Sequence, residues 1–235
     1  MSSRTGGIHS SVRRASVVFA TALAVALAAC HKDSPAAPTL PTKIAPTPGS
    51  NAQVGTVGQQ LAAPVTVQVL DANGNPMSGV TITWTILAGG GSLDASTSTT
   101  DASGNALVHW TLGTVAGADS LQALVGGAVW VDVGATAQPG AVASLQKVSG
   151  DQQNVPDGST SAPIVVEALD QYGNVVPNAT ITWMDENGGA LSTTSTTTDS
   201  SGKATVTLAT DQAPETYTIV AEDGSVQVTF VVTSN

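Results

Sequence analysis

The sequence is poor in most of the groups that carry chemistry. Cysteine occurs once, so no disulfide can form within the chain. Histidine occurs three times, as His9, His31 and His109. Phe and Tyr occur twice each, and only 10% of the 235 residues are charged. Lys and Arg number seven against seventeen Asp and Glu, and three of the basic residues (Arg4, Arg13, Arg14) precede residue 30. From residue 30 onward, four basic residues face seventeen acidic ones, a formal net charge of −13. A surface of that sign repels phosphate backbones, so nucleic-acid binding is excluded as a function.

What is present begins with a targeting pattern. Basic residues precede the uncharged apolar run "ASVVFATALAVALAA", which ends in small residues and sits at the short limit for a membrane span. "LAAC", Leu27 to Cys30, resembles the lipobox of bacterial lipoproteins, in which the cysteine is lipidated and becomes the first mature residue. Residues 1–29 are therefore expected to be a signal peptide, and Cys30 the lipidation site and membrane attachment. An ordinary signal peptide ending nearby is the plainer alternative. His31 stands where a retained inner-membrane lipoprotein would carry Asp, so the resemblance leans towards the outer membrane, with surface and periplasmic orientations both open.

Residues 30–48 contain five prolines among Ala and Thr and are expected to form an extended tether. Ser34 to Pro48 would reach about 45 Å at ~3.1 Å per residue.

The remainder repeats itself. Asp71-Ala-Asn-Gly-Asn75 recurs as Asp170-Gln-Tyr-Gly-Asn174, and Val80-Thr-Ile-Thr-Trp84 as Ala179-Thr-Ile-Thr-Trp183. "TTDASGNA" (99–106) recurs as "TTDSSGKA" (197–204). Two modules follow, residues 49–137 and 141–235, joined near "AQPGAVAS". Val65, Val67 and Val69 alternate with polar residues, as do Ile82 and Trp84 with threonines. Period-two alternation rich in β-branched residues predicts an all-β chain, two tandem immunoglobulin-like antiparallel sandwiches of about seven strands each. Trp84 and Trp183 share the apolar stripe and are expected in the cores. End to end, the two would extend ~70–80 Å.

D-x-x-G-N followed by "VTITWT", "TTDASGNA" and "HWTLGTVAG" resembles the bacterial Ig-like domain of group 1, the repeat of invasin and intimin stalks. "KVSGD" (147–151) resembles the opening of such repeats. The second copy departs from the pattern, with "TLATD" where the first has "WTLGT". Nothing in the chain resembles the β-barrel anchor or the lectin-like tip of those adhesins. The resemblance implies a spacer or binding module.

Asp71, Asn73 and Asn75 alternate as ligands do in a calcium loop. Such a loop wants Gly at its sixth place and Glu at its twelfth, where Pro76 and Ile82 stand. The second copy puts Tyr172 at the third ligand place. The motif reads as turn chemistry, with Asp as the cap and Gly74 or Gly173 at positive φ. Asp101 receives the same reading, because Lys203 replaces Asn105 in the second copy. "AGGGS" (88–92) lacks the Lys and helix of a phosphate loop and reads as a strand break. His109 is the only histidine in either module and is expected to face solvent. No metal site, cofactor or catalytic set is expected, and the chain is read as a non-enzyme. Asp185 and Glu186 read as solvated acids.

Trp130 faces outward by parity with Val129, Val131 and Val133. It is a candidate contact for a protein or glycan partner, or a residue packed against the linker or second module, into which its strand runs. Outside the cores, the aromatics on offer to a sugar are Trp130, Tyr172 and Tyr217. The functional expectation is a lipid-anchored envelope protein acting as a spacer or adhesion module. A polysaccharide-binding module and an accessory subunit of an envelope complex are the alternatives.

Overall fold

A computed structural model describes residues 40–235. The expected signal peptide, Cys30 and most of the expected tether lie outside the described residues.

The first module begins inside the stretch read as tether. Strand β1 (Lys43–Pro46) runs antiparallel to β3 (Val65–Leu70), because Ile44 reaches the core while prolines flank it. Between them lies β2 (Gln53–Thr56), followed after β3 by β4 (Thr81–Ala88), β5 (Ser92–Leu93), β6 (Thr97–Thr99) and β7 (Asn105–Val108). The module closes with β8 (Trp110–Thr111), β9 (Gly117–Val125) and β10 (Val129–Gln138). A three-stranded sheet in the order β1-β3-β7 faces a five-stranded sheet in the order β2-β10-β9-β4-β6. β5 and β8 form a separate short pair. Every pairing is antiparallel except that of β2 with β10.

The second module repeats this order. Its strands are β11 (Ser144–Ser149), β12 (Gln153–Val155), β13 (Ile164–Leu169), β14 (Thr180–Asp185) and β15 (Ala190–Leu191). They continue as β16 (Ser195–Thr197), β17 (Lys203–Val206), β18 (Leu208–Ala209), β19 (Thr216–Asp223) and β20 (Val226–Ser234). The sheets are β11-β13-β17 and β12-β20-β19-β14-β16, again with a short pair, β15-β18.

Ten elements replace the expected seven or so because the chain changes sheets. The His109 N–H donates to the Asp94 side chain instead of a ladder carbonyl, which divides β7 from β8. The Thr207 N–H does the same with the Ser192 hydroxyl between β17 and β18. An unpaired N–H would be costly, and these side chains supply the acceptor.

The alternating stripes meet between the sheets. Val65, Val67, Val69, Ile82, Trp84, Val108, Trp110, Leu121 and Val133 are buried in the first core. Ile164, Val166, Ile181, Trp183, Leu208, Tyr217, Ile219 and Phe230 are buried in the second. Each repeated tryptophan keeps its N–H satisfied: Trp84 donates to Ser98 Oγ at 2.9 Å and Trp183 to Thr196 Oγ1 at 2.7 Å. Buried indoles usually find such a partner, whereas the Trp110 N–H has none among the described residues. Tyr217 is not an available surface aromatic. It is fully buried because it shares parity with Ile219 and Ala221, and its hydroxyl accepts the Asp211 N–H at 2.9 Å.

Candidate functional site

Both D-x-x-G-N stretches are turns. Asp71 Oδ1 accepts the N–H groups of Asn73 (2.8 Å) and Asn75 (2.9 Å), and Asp170 Oδ1 those of Tyr172 (2.8 Å) and Asn174 (2.9 Å). Gly74 and Gly173 take φ of 83° and 82°. The Asn75 N–H above all holds the Asp71 carboxyl below its ordinary pKa. Burial pushes Asp170 the other way, but hydrogen bonds led by the Asn174 side chain outweigh it. Asp101 and Asp199 cap their turns in the same manner. With the oxygens committed to local N–H groups, no group of three His, Cys, Asp or Glu side chains among the described residues is placed to hold a metal ion.

In the second module the turn has further work. The modules lie in one compact unit. Asn174 Oδ1 accepts the Ala116 N–H and its Nδ2 donates to the Thr114 carbonyl, both at 2.9 Å, so one amide grips the backbone of the first module. Asp170 Oδ2 accepts the Gly140 N–H of the linker at 3.0 Å. The Tyr172 hydroxyl lies over Gly58, where an added Cβ would stand 2.5 Å from it. The first copy of the turn has Asn73 in place of Tyr172. Among the described residues, the Asn75 side chain bonds only to Asp71.

His109 faces solvent as expected, but it is not alone. Its Nδ1 lies 2.7 Å from Asp94 Oδ2, and its hydrogen bonds to Asp94 hold that carboxyl below its ordinary pKa. Asp94 is its only side-chain partner among the described residues, and no Ser, Cys or Lys nucleophile is hydrogen-bonded to the imidazole. The pair closes the short β5-β8 corner. Asp185, at the end of β14, accepts the N–H groups of Asn187 and Gly189.

Asp119 was not singled out by its sequence context. It is buried under the Gly89–Gly91 loop, in the place held by Tyr217 in the second module, and neither carboxylate oxygen has a completed hydrogen bond among the described residues. Burial pushes its carboxyl above the ordinary pKa, offset in part by the nearby Gly113 N–H. Its parity with Leu121, Ala123 and Val125 was the available signal.

Trp130 is 58% exposed, and the other three tryptophans are buried. It is the second residue of β10, whereas the linker follows Gln138 at the other end. Eight residues at ~3.3 Å each separate them by about 26 Å. Trp130 therefore lies at the end of β10 away from the linker. Trp130 pairs across the sheet with Leu124, which pairs with Thr83, which pairs with Thr97. Beside that row, Asp132 pairs with Gln122 and Gln122 with Thr85.

Two stacked sandwiches with the same strand order, joined by a side-chain clasp, define a tandem immunoglobulin-like protein. The bacterial Ig-like domain (group 1) family matches residues 51–138 and 145–233, and the chain belongs to that family. Similar solved structures include FdeC, an Escherichia coli adhesin, at 19% identity and TM-score 0.58, covering 83% of this chain and 65% of that one. The structure of InvD from Yersinia pseudotuberculosis is 22% identical with TM-score 0.51, covering 82% of this chain and 57% of that one. The D0-D1 domain of intimin is 20% identical with TM-score 0.34, covering 83% and 98%. At these identities the likeness is one of fold. No curated protein matches the chain.

Proposed function

We propose that the chain is a lipid-anchored protein of the bacterial envelope that acts without catalysis, as a spacer with an adhesive face. The Asn174 clasp carries this reading. A spacer must keep its modules in a fixed relation, and here the side chains that cap the turn also hold the joint. The pairing of His109 with Asp94 alone gives no nucleophile to activate, which supports a non-catalytic role. Cys30, as the lipidated residue, would fix the chain to the outer membrane, and residues 31–39 would separate the first module from it. FdeC, an adhesin, is similar to this chain in fold, and adhesion is carried over from it as part of this proposal.

Protease shaving of intact cells, followed by mass spectrometry of released and retained peptides, tests the placement. Release of peptides from both modules, with the Cys30 end retained in the membrane, is expected. A Cys30→Ser variant should lose the retained fraction. Complete protection until the cells are permeabilised would overturn surface adhesion and leave a periplasmic assembly role in its place.

A further inference from the structure

We propose that the outer face of the β2-β10-β9-β4-β6 sheet in the first module binds a neutral polysaccharide, with Trp130 as the stacking platform. This names the class of partner for the adhesive face proposed above, and rests on that part of the reading but not on lipidation.

The face is made of two parallel rows. One runs Trp130, Leu124, Thr83, Thr97 across four strands, and the other Asp132, Gln122, Thr85 across three. At ~4.8 Å between strands the longer row spans about 14 Å, and the second lies ~6.8 Å from it along the strands. The strand spacing is comparable to the length of one hexopyranose unit, so a chain crossing the strands would meet one side chain per sugar. An exposed indole offers a flat apolar surface to the C–H face of a pyranose ring. The neighbouring row offers what hydroxyl groups need. Gln122 Nε2 donates to Asp132 Oδ1 at 3.3 Å, which orients the pair. Asp132 Oδ2 and Gln122 Oε1 remain without a partner among the described residues, two acceptors side by side for vicinal hydroxyls.

The edge beside Trp130 is open. β2 pairs with β10 only over Ala135–Gln138, so no described strand adjoins Val129–Val133 on that side. Leu40 and Pro41 lie by Val129 at one end of this edge, and from Trp130 to Val133 no described strand covers it.

Charge selects the class. Asp132 is the only ionic side chain in the two rows, and it lies on a protein with seventeen acids. Uronic-acid and sulfated polymers would be repelled, whereas a neutral polyol donates to the carboxylate. The second module supplies a contrast within one molecule. Its corresponding rows read Gln227, Glu222, Thr182, Ser195 and Thr229, Val220, Met184. There is no aromatic ring there, so the site belongs to the first module.

The test uses the mature chain in affinity gel electrophoresis with laminarin, dextran and hydroxyethyl cellulose, and with alginate as the anionic comparator. Trp130 is the one exposed tryptophan, so quenching of the solvent-exposed component of indole emission reports the same contact. Retardation by at least one neutral polymer, insensitive to salt and weakened about tenfold or more in Trp130→Ala, is expected. A Gln227→Trp variant with Trp130→Ala asks whether an indole alone suffices. Restoration of binding by it would overturn the role of the Asp132–Gln122 row. No retardation by any of the three neutral polymers, stronger retardation by alginate, or undiminished binding by Trp130→Ala would overturn the proposal. Surface exposure in the shaving experiment is read separately, so either result can fail without the other.

Discussion

Removing the Asn174 side chain should loosen the joint between the modules while leaving both cores intact. Two hydrogen bonds cross the joint through this amide, to Ala116 N–H and Thr114 O. Each contributes about 0.5–1.5 kcal/mol net, and the freed backbone groups can be rehydrated, so Asn174→Ala should cost the closed joint roughly 1–3 kcal/mol. That corresponds to about a 5- to 150-fold shift in the closed-to-open ratio. The repeat supplies its own control. Asn75 holds the same place in the first module's turn and bonds only to Asp71 among the described residues, so Asn75→Ala measures the local cost of losing the turn amide. Hydrogen exchange at the Ala116 and Gly140 amides is the assay, because both N–H groups donate across the joint. Exchange at both should accelerate within that range in Asn174→Ala and stay unchanged in Asn75→Ala. Acceleration of neither amide in Asn174→Ala, or the same acceleration in both variants, would refute the clasp.

The buried Asp119 carboxyl has a raised pKa, so the folded state binds its proton more tightly than the unfolded state does. Its contribution to stability is therefore full below the ordinary carboxyl value and falls as pH rises towards the folded value. Asp119→Asn should lack that fall and gain stability relative to the parent as pH rises through the window. Parallel curves of thermal midpoint against pH would refute this, and the subtraction removes the opposite trend from Asp71, Asp94, Asp151, Asp170 and Asp199, whose lowered values lose stability as pH falls. Trp183→Ala deletes a fully buried ring and the bond to Thr196, and should destabilise the second module by about 3–5 kcal/mol in denaturant titration. A cost near zero would mean that the core had been misread.

Side-chain parity made the cores legible. Trp84, Trp183 and the valine stripes could be placed because every second residue of a strand faces one side. The same rule applied to Tyr217 would have put it inside with Ile219, and applied to Asp119 would have exposed a carboxylate on an apolar stripe. β1 was harder to read, since Ile44 is its one core residue and prolines flank it. Asn174 could be read as a turn residue but not as a clasp, because Thr114 and Ala116 lie about sixty residues earlier and only the stacked fold brings them together. Trp130 pointed outward as its parity required. Its distance from the linker depended on which end of β10 it occupied.

The pairing of β2 with β10 bears on how the first module responds to force. The chain enters near Leu40 and Pro41, beside the start of β10, and leaves after Gln138 at the other end. Tension between those points runs along the strands. The parallel ladder from Gln53–Ala135 to Thr56–Gln138 would then be pulled lengthwise, so its hydrogen bonds share the load and must fail together. A zipper opened from one end would yield bond by bond at a lower force. The architecture that buries the valine stripes thus also makes the module resistant to being drawn out along its strands.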